Sequence, residues 1–347
     1  MKDRTSKLRW SSERRLRGIV ASAVIGAAGT APAKAQRITL DPSPVRLTAI
    51  GGQAVTPVSS TAFNAQGELL IIGGPSRQEM FVVDSSGKGV LPPTPLAKTG
   101  AALGWPIAAA FSASADLLIV DAQSSRIAHL VRTGSGWRAA AVESTELNAF
   151  SSMCSAGGRT YIMAKRGISR DSGIVHEVTA DGKTVRSFGR AFGDIPNPAL
   201  GGGYVACPVG VAEIVVTSAL YPEVRAYSRQ GKLRWATRLA EFRPMGFRVE
   251  GRAIRFAYPP DSIWDQTISM FAAAPEIIAI QIGRLYGRNQ MAPFSTIRTV
   301  LLSAASGDIV GAQADLPMVL SASRETLLTA EGRTPTELLL YRFHRKP

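Results

Sequence analysis

Six ten-residue stretches align without a gap: FNAQGELLII (63–72), FSASADLLIV (111–120), CSAGGRTYIM (154–163), CPVGVAEIVV (207–216), FAAAPEIIAI (271–280) and LSASRETLLT (320–329). Each opens on an apolar residue or Cys, passes through a small or polar turn and ends in a β-rich apolar run. Their starts lie 48, 43, 53, 64 and 49 residues apart. A unit of that size, repeated, does not bury its apolar face alone; it stacks against copies of itself. A second phrase recurs between the first ones: VVDSSGKGV (82–90), HEVTADGKTVRSFG (176–189), AYSRQGKLRW (226–235) and LLSAASGDIV (301–310). Here apolar residues lead to a polar tip ending in Gly, as a tight hairpin needing positive φ requires.

Taken in order, the first phrase reads as strand a, a turn and strand b, and the second as strand c, a turn and strand d. Six four-stranded units at this spacing predict an all-β chain folded as a six-bladed β-propeller. No long stretch of 3.6-residue amphipathic periodicity competes with that reading. The last unit ends without an outermost strand, and QRITLDPSPVRLTAI (36–50) is placed to supply it, closing the ring between the termini. The long fourth interval contains FRVEGRAIRF (247–256), which reads as a hairpin about Gly251. Counted as a degenerate blade, it gives the alternative of seven blades.

The first 35 residues are of another kind. Residues 1–36 hold eight basic side chains and two acidic ones, +6 of the formal +14. ERRLRG is followed by the apolar run IVASAVIGAAG and by Ala33-Lys34-Ala35, the layout of a secretory signal peptide over 1–35 with Gln36 as first mature residue. Arg14-Arg15 leaves twin-arginine and general export both open. The expectation is a periplasmic or extracellular protein, one propeller domain over 36–347, with no transmembrane segment once the leader is removed. Removing the leader also removes the densest basic run, and aromatics are sparse, so nucleic acid is not the expected partner.

LLIVDAQSSRIAHLV (117–131) places Asp121 at the end of strand b and Arg126 at the start of strand c. That order resembles the NHL repeat, as does HEVTADGKTVRSFG, whereas Gly73, Ala164 and Thr217 stand at the Asp position in other blades. The chain is therefore similar to six-bladed NHL-like propellers, which implies a structural Asp121–Arg126 pair. Lactonase-like propellers share the rhythm but set Glu, Asn and Asp around an axial cation; the small, apolar strands a here lack such a set. RQGKLRWATRL resembles a quinoprotein turn in one blade alone.

No catalytic residue, metal site or cofactor is expected. His129 and His176 read as polar residues on half-exposed strands, and His344 as part of a solvated basic tail. Cys154 and Cys207 stand where other repeats have Phe, so they read as small apolar fillers; equivalent positions on neighbouring blades usually exceed the roughly 6.8 Å Cα limit of a bridge, and a disulfide between them stays the alternative. What remains is the b–c loops, which carry Arg77, Arg126, Arg166, Arg170, Arg284, Arg288 and Arg333, with Tyr221 nearby. Gathered on one face, they fit a binding module for an anionic small molecule, a glycan or an acidic protein surface. A lactonase-like hydrolase or lyase is the alternative, and a purely structural spacer a third.

Overall fold

The computed structural model describes residues 36–346 other than 146, 167–172, 194–201, 251–252, 258–261, 288–292 and 332–336. The apolar runs form strands, and no α-helix occurs among the described residues; one 3-10 turn spans Leu96–Thr99. Strands a to d of blade 1 are Ser60–Phe63, Leu69–Gly73, Glu79–Val83 and Gly89–Pro95. Blade 2 comprises Pro106–Phe111, Leu117–Asp121, Arg126–Thr133 and Gly136–Ser144, and blade 3 Leu147–Ala156, Arg159–Arg166, Val175–Val178 and Thr184–Phe188. Blade 4 is Gly203–Ala206, Glu213–Ser218, Glu223–Ser228 and Leu233–Arg238; blade 5 is Ile263–Ala274, Ile277–Tyr286, Thr296–Ser303 and Ile309–Gln313. Each is an antiparallel sheet in chain order.

Blade 6 has Met318–Ala322, Thr326–Ala330 and Leu338–Lys346, and its fourth strand is Arg37–Leu40, paired from Arg37 with Lys346 to Leu40 with Phe343. The N-terminal strand thus closes the ring, as the sequence predicts. Gln313 of blade 5 clamps it from the other side: its Nε2 donates to the Ile38 carbonyl (3.0 Å) and its Oε1 accepts from the Ile38 N–H (2.8 Å).

Strands b lie between neighbouring blades, which is why they read as unbroken apolar runs rather than alternating ones. Leu69–Gly73, Leu117–Asp121 and Thr326–Ala330 are buried throughout. An apolar cluster fills each blade interface, and a smaller one joins Met245, Trp264 and Leu285. Leu70 and Ile72 meet Phe111 and Leu117; Leu118 and Val120 meet Ile162; Met163 meets Val205 and Val216. Val215 and Val224 meet Ile278 and Ile280, Phe271 and Leu301 meet Leu327 and Phe343, and Leu328 and Leu340 return to Leu69 and Phe81. Six interfaces, the last leading back to the first, describe a closed ring. At about 1.5–3 kcal/mol for each large aliphatic side chain removed from water, these interfaces supply the main stabilisation.

The recurrent hairpin glycine has two physical reasons. Gly182 and Gly231 take φ of +89° and +84°, a region costly for residues with a Cβ. Each also packs on the preceding blade: a Cβ at Gly182 would lie 3.0 Å from Ile127, and one at Gly231 2.9 Å from Phe188. The turn is therefore both a hairpin tip and a blade contact.

In the fourth interval, Gly246–Glu250 pairs with Ala253–Ala257 and with no other strand among the described residues. The predicted hairpin exists, but it is an insertion and not a seventh blade; the turn residue Gly251 itself lies outside the described residues.

Candidate functional site

Strands a form the wall of an axial chamber of about 900 Å³. Close approach at the axis favours short side chains: Ser60, Ala62, Ala108, Ala110, Ser152 and Ala206 line it together with larger apolar residues such as Met270 and Leu320. Arg324 and Glu325, in the a–b turn of blade 6, are the charged side chains among its described lining residues.

Specific bonds tie this inner wall from blade to blade. Ser152 Oγ accepts the Val205 N–H (2.6 Å), Tyr204 donates its hydroxyl to the Ile268 carbonyl (2.7 Å), and Gln281 Nε2 donates to the Pro317 carbonyl (2.9 Å) while its Oε1 accepts the Val319 N–H (2.7 Å). Cys154 and Cys207 add a covalent tie. They form a disulfide with a Cα separation of 5.7 Å, which corrects the expectation of two unpaired apolar fillers. Equivalent positions on neighbouring blades are far apart at the rim, but strands a converge on the axis, and there the spacing falls within bridging range.

Strand b of each blade ends beside the start of strand a, as in the pairs Ser60 with Ile72, Gly203 with Ser218 and Ile263 with Tyr286. The six b–c loops therefore share one end of the ring with the d–a connections, and the a–b and c–d turns share the other. On the b–c end, Arg77 is exposed at a loop tip with φ +57°. Arg126 is half-buried at the first position of its strand. Arg166 is the last residue of strand b in blade 3; Arg170, Arg288 and Arg333 lie outside the described residues.

Arg284 is committed within the fold. Its Nε donates to Asp265 Oδ1 (2.8 Å) and a terminal nitrogen to Oδ2 (3.2 Å), with Asp265 buried and also accepting the Arg243 N–H at 3.0 Å. Arg298 approaches the same carboxylate at 3.8 Å. The hydrogen bonds that Arg284 donates to Asp265 raise its pKa against a smaller opposing effect of burial, so the guanidinium stays charged while a quarter of its side chain remains open to solvent.

Tyr221 lines a separate groove of about 420 Å³ at this end, with Gly193, Pro222, Glu223, Thr237 and Arg238. Beneath it Arg225 pairs with Glu223 (2.8 and 3.0 Å), donates to the Arg190 carbonyl (2.7 Å) and stacks 4.3 Å from the Phe192 ring centroid. Burial opposes its charge, but the bonds to Glu223 and Tyr227 prevail and its pKa is raised. Glu223, Arg225 and Arg238 give no signal in the sequence because they lie in strands, where charged residues at alternate positions look like ordinary solvated faces.

The Asp121–Arg126 pair takes a different form from the one expected. The two are partners in strand register, yet the buried Asp121 carboxylate accepts from the backbone N–H groups of Gly104, Trp105 and Ser124 and from the Ser124 hydroxyl. No ion pair joins it to Arg126 among the described residues. The loop N–H donors reach the carboxylate first, so Asp121 ties the d–a connection to the b–c loop. His176 also differs: it is fully buried, with Nδ1 2.7 Å from Ser187 Oγ and Nε2 3.1 Å from the Ala164 carbonyl. His129 is half-buried, 3.4 Å from Asp116, and His344 lies 3.6 Å from Asp41 near the surface.

No family model matches the sequence, and no curated protein is similar to it. Among solved structures, a member of the DUF4221 family from Bacteroides vulgatus superposes with a TM-score of 0.60 at 10% identity, covering 90% of this chain and 99% of that one. Virginiamycin B lyase from Staphylococcus aureus aligns at 10% identity with a TM-score of 0.48, over 88% of this chain and 99% of that one. The first likeness shows a shared fold and nothing of activity; the second is too distant to bear on either.

Proposed function

We propose that this chain is an exported binding module that takes an anionic ligand or partner on its b–c loop end. The observation that carries the reading is the contrast between the two parts of the ring. The axial chamber is walled by apolar and hydroxyl-bearing side chains, while the b–c loop end of the ring carries arginines, with Arg77 and Arg238 exposed. Guanidinium groups on a rigid scaffold suit carboxylate, sulfate or acidic side chains, and a half-open Arg284 held by Asp265 costs little reorganisation on binding. The kinship remains NHL-like on the strength of the Asp121–Arg126 spacing and the Gly-Lys turns.

A lactonase-like hydrolase needs several oxygen donors converging at the axis. The described wall offers Asn64 and Glu325, both in a–b turns, and Asn64 already spends its Oδ1 on the Gln66 and Glu68 N–H groups. Export accords with the leader and with the Cys154–Cys207 bridge, since disulfides persist in oxidising compartments. The test is a binding screen with heparin, polyglutamate and small dicarboxylates at low and high salt. Affinity that falls with ionic strength and with Arg77→Gln, Arg126→Gln and Arg288→Gln combined supports the reading; affinity indifferent to both overturns it.

A further inference from the structure

The end of the ring opposite the arginine loops carries a feature that the binding module does not use. The c–d hairpins there repeat the turn glycine together with an aliphatic residue two or three positions beyond it: Gly87-Lys88-Gly89-Val90, Gly182-Lys183-Thr184-Val185, Gly231-Lys232-Leu233-Arg234 and Gly307-Asp308-Ile309. The aliphatic residue is exposed each time, by 37% for Val90, 51% for Val185, 50% for Leu233 and 49% for Ile309, and Val209 in an a–b turn of the same end is 46% exposed. Single exposed aliphatics need no explanation. Five on one end of a ring, four of them just beyond a hairpin glycine, form a patterned surface.

Its charge is basic where the aliphatics are densest. Around Leu233 stand Arg229, Lys232 and Arg234, all exposed, against Glu213, which Arg234 approaches at 3.8 Å, and the exposed Glu276, whose N–H donates to the Val209 carbonyl (3.1 Å). Lys183 beside Val185 is answered by Asp181 at 3.2 Å, so the surplus sits on blade 4. The disulfide holds blades 3 and 4 together at this same end, since Cys154 and Cys207 close their strands a near the a–b turns. The chain also enters the ring here. Arg37 pairs with Lys346 at the end of strand c, and the Gln36 N–H donates to the Val310 carbonyl (3.0 Å), next to Ile309.

We propose that the a–b and c–d end of the ring docks on a membrane surface containing anionic lipid, with the hairpin aliphatics entering the headgroup layer and the blade 4 cations meeting lipid phosphates. Interfacial binding of this kind needs apolar side chains flanked by Lys or Arg on one face, and each lysine near an anionic leaflet strengthens it about fivefold. The docked ring presents its arginine loops away from the lipid. This surface lies on the opposite end from those loops, so it stands or falls apart from the binding reading.

The test uses residues 35–347, a self-contained unit that holds every described strand and closes on itself, in flotation with vesicles of phosphatidylglycerol and phosphatidylcholine or of phosphatidylcholine alone. The expected result is flotation with the anionic vesicles, weakened by salt, reduced at least about tenfold by Val185→Glu with Leu233→Glu and about fivefold by Lys232→Gln. Arg77→Gln with Arg126→Gln leaves it unchanged. All these positions are exposed or half-buried, and matching thermal melts establish that the variants fold. Absence of flotation, equal binding to neutral vesicles, or binding that survives the hairpin substitutions overturns the proposal. So does capture by immobilised polyglutamate, without flotation, that Lys232→Gln weakens and Arg77→Gln with Arg126→Gln does not, which assigns the face to an acidic protein.

Discussion

Breaking the Cys154–Cys207 bridge is the sharpest perturbation of the inner wall. The bridge closes a span of 53 residues, and the loop-closure relation for such a span gives about 4 kcal/mol at 25 °C. In a ring of roughly 300 residues that corresponds to about 6 °C in Tm. The variant Cys154→Ala/Cys207→Ala is compared with the parent by urea unfolding at equilibrium, where the midpoint falls and the slope m rises as the denatured chain loses its cross-link. Each single substitution costs about as much as the double, because either one breaks the same bond. The parent unfolded in the presence of a thiol reductant reproduces the loss. Two titratable thiols in the native, unreduced parent, or a double variant with an unchanged midpoint, refutes the reasoning.

Other substitutions test other joints. Asp121→Ala leaves the Gly104, Trp105 and Ser124 donors without their acceptor and destabilises the ring by about 3 kcal/mol, measured by the same unfolding assay; Arg126→Ala, which leaves that carboxylate's bonds intact, costs under about 1 kcal/mol. Gly231→Ala forces a Cβ against Phe188 at a φ of +84° and costs about 1–3 kcal/mol, whereas Gly134→Ala meets nothing within 4 Å and leaves the melting temperature unchanged. The Ser86 hydroxyl holds the Asp84 carboxyl below the usual carboxylate range. That contribution is complete above the unfolded-state pKa and is lost as the pH falls through the lower folded value; Ser86→Ala moves the Asp84 titration, followed by carboxyl NMR, back up toward the ordinary value.

The architecture is legible because propeller blades repeat. Phe63, Phe111 and Phe271 mark equivalent ends of strand a, and the Gly-Lys turns mark c–d hairpins, so phrase spacing alone defines a ring and shows which strand it lacks. The hairpin glycines are readable as turns, but not as contacts, because their approach to Ile127 and Phe188 depends on how blades tilt on one another. The same limit explains the cysteines. Their place in the repeat identifies them as equivalent, whereas their separation is set by the radius at which strands a meet the axis.

The site is less legible for reasons of register. Arg284 stands out as a loop arginine, but its partner Asp265 lies across the sheet in strand a, and only the alignment of Asp265 with Arg284 brings them together. Asp121 is conspicuous in the sequence, and Arg126 is its nearest cation along the chain; backbone N–H groups from Gly104, Trp105 and Ser124, in turns that composition does not reveal, take the partner's place. Charge in a loop is readable from sequence, while its partners are a property of the packed ring.

The most direct test of the central claim is a hydrogen-exchange footprint of residues 35–347 with and without heparin as the anionic probe. Added protection is expected in the b–c loops, at 73–79, 121–126, 218–223 and 284–296, and disappears in the Arg77→Gln, Arg126→Gln, Arg288→Gln variant. Protection confined to the a–b and c–d turns, or none at any probe concentration that saturates binding, contradicts that claim.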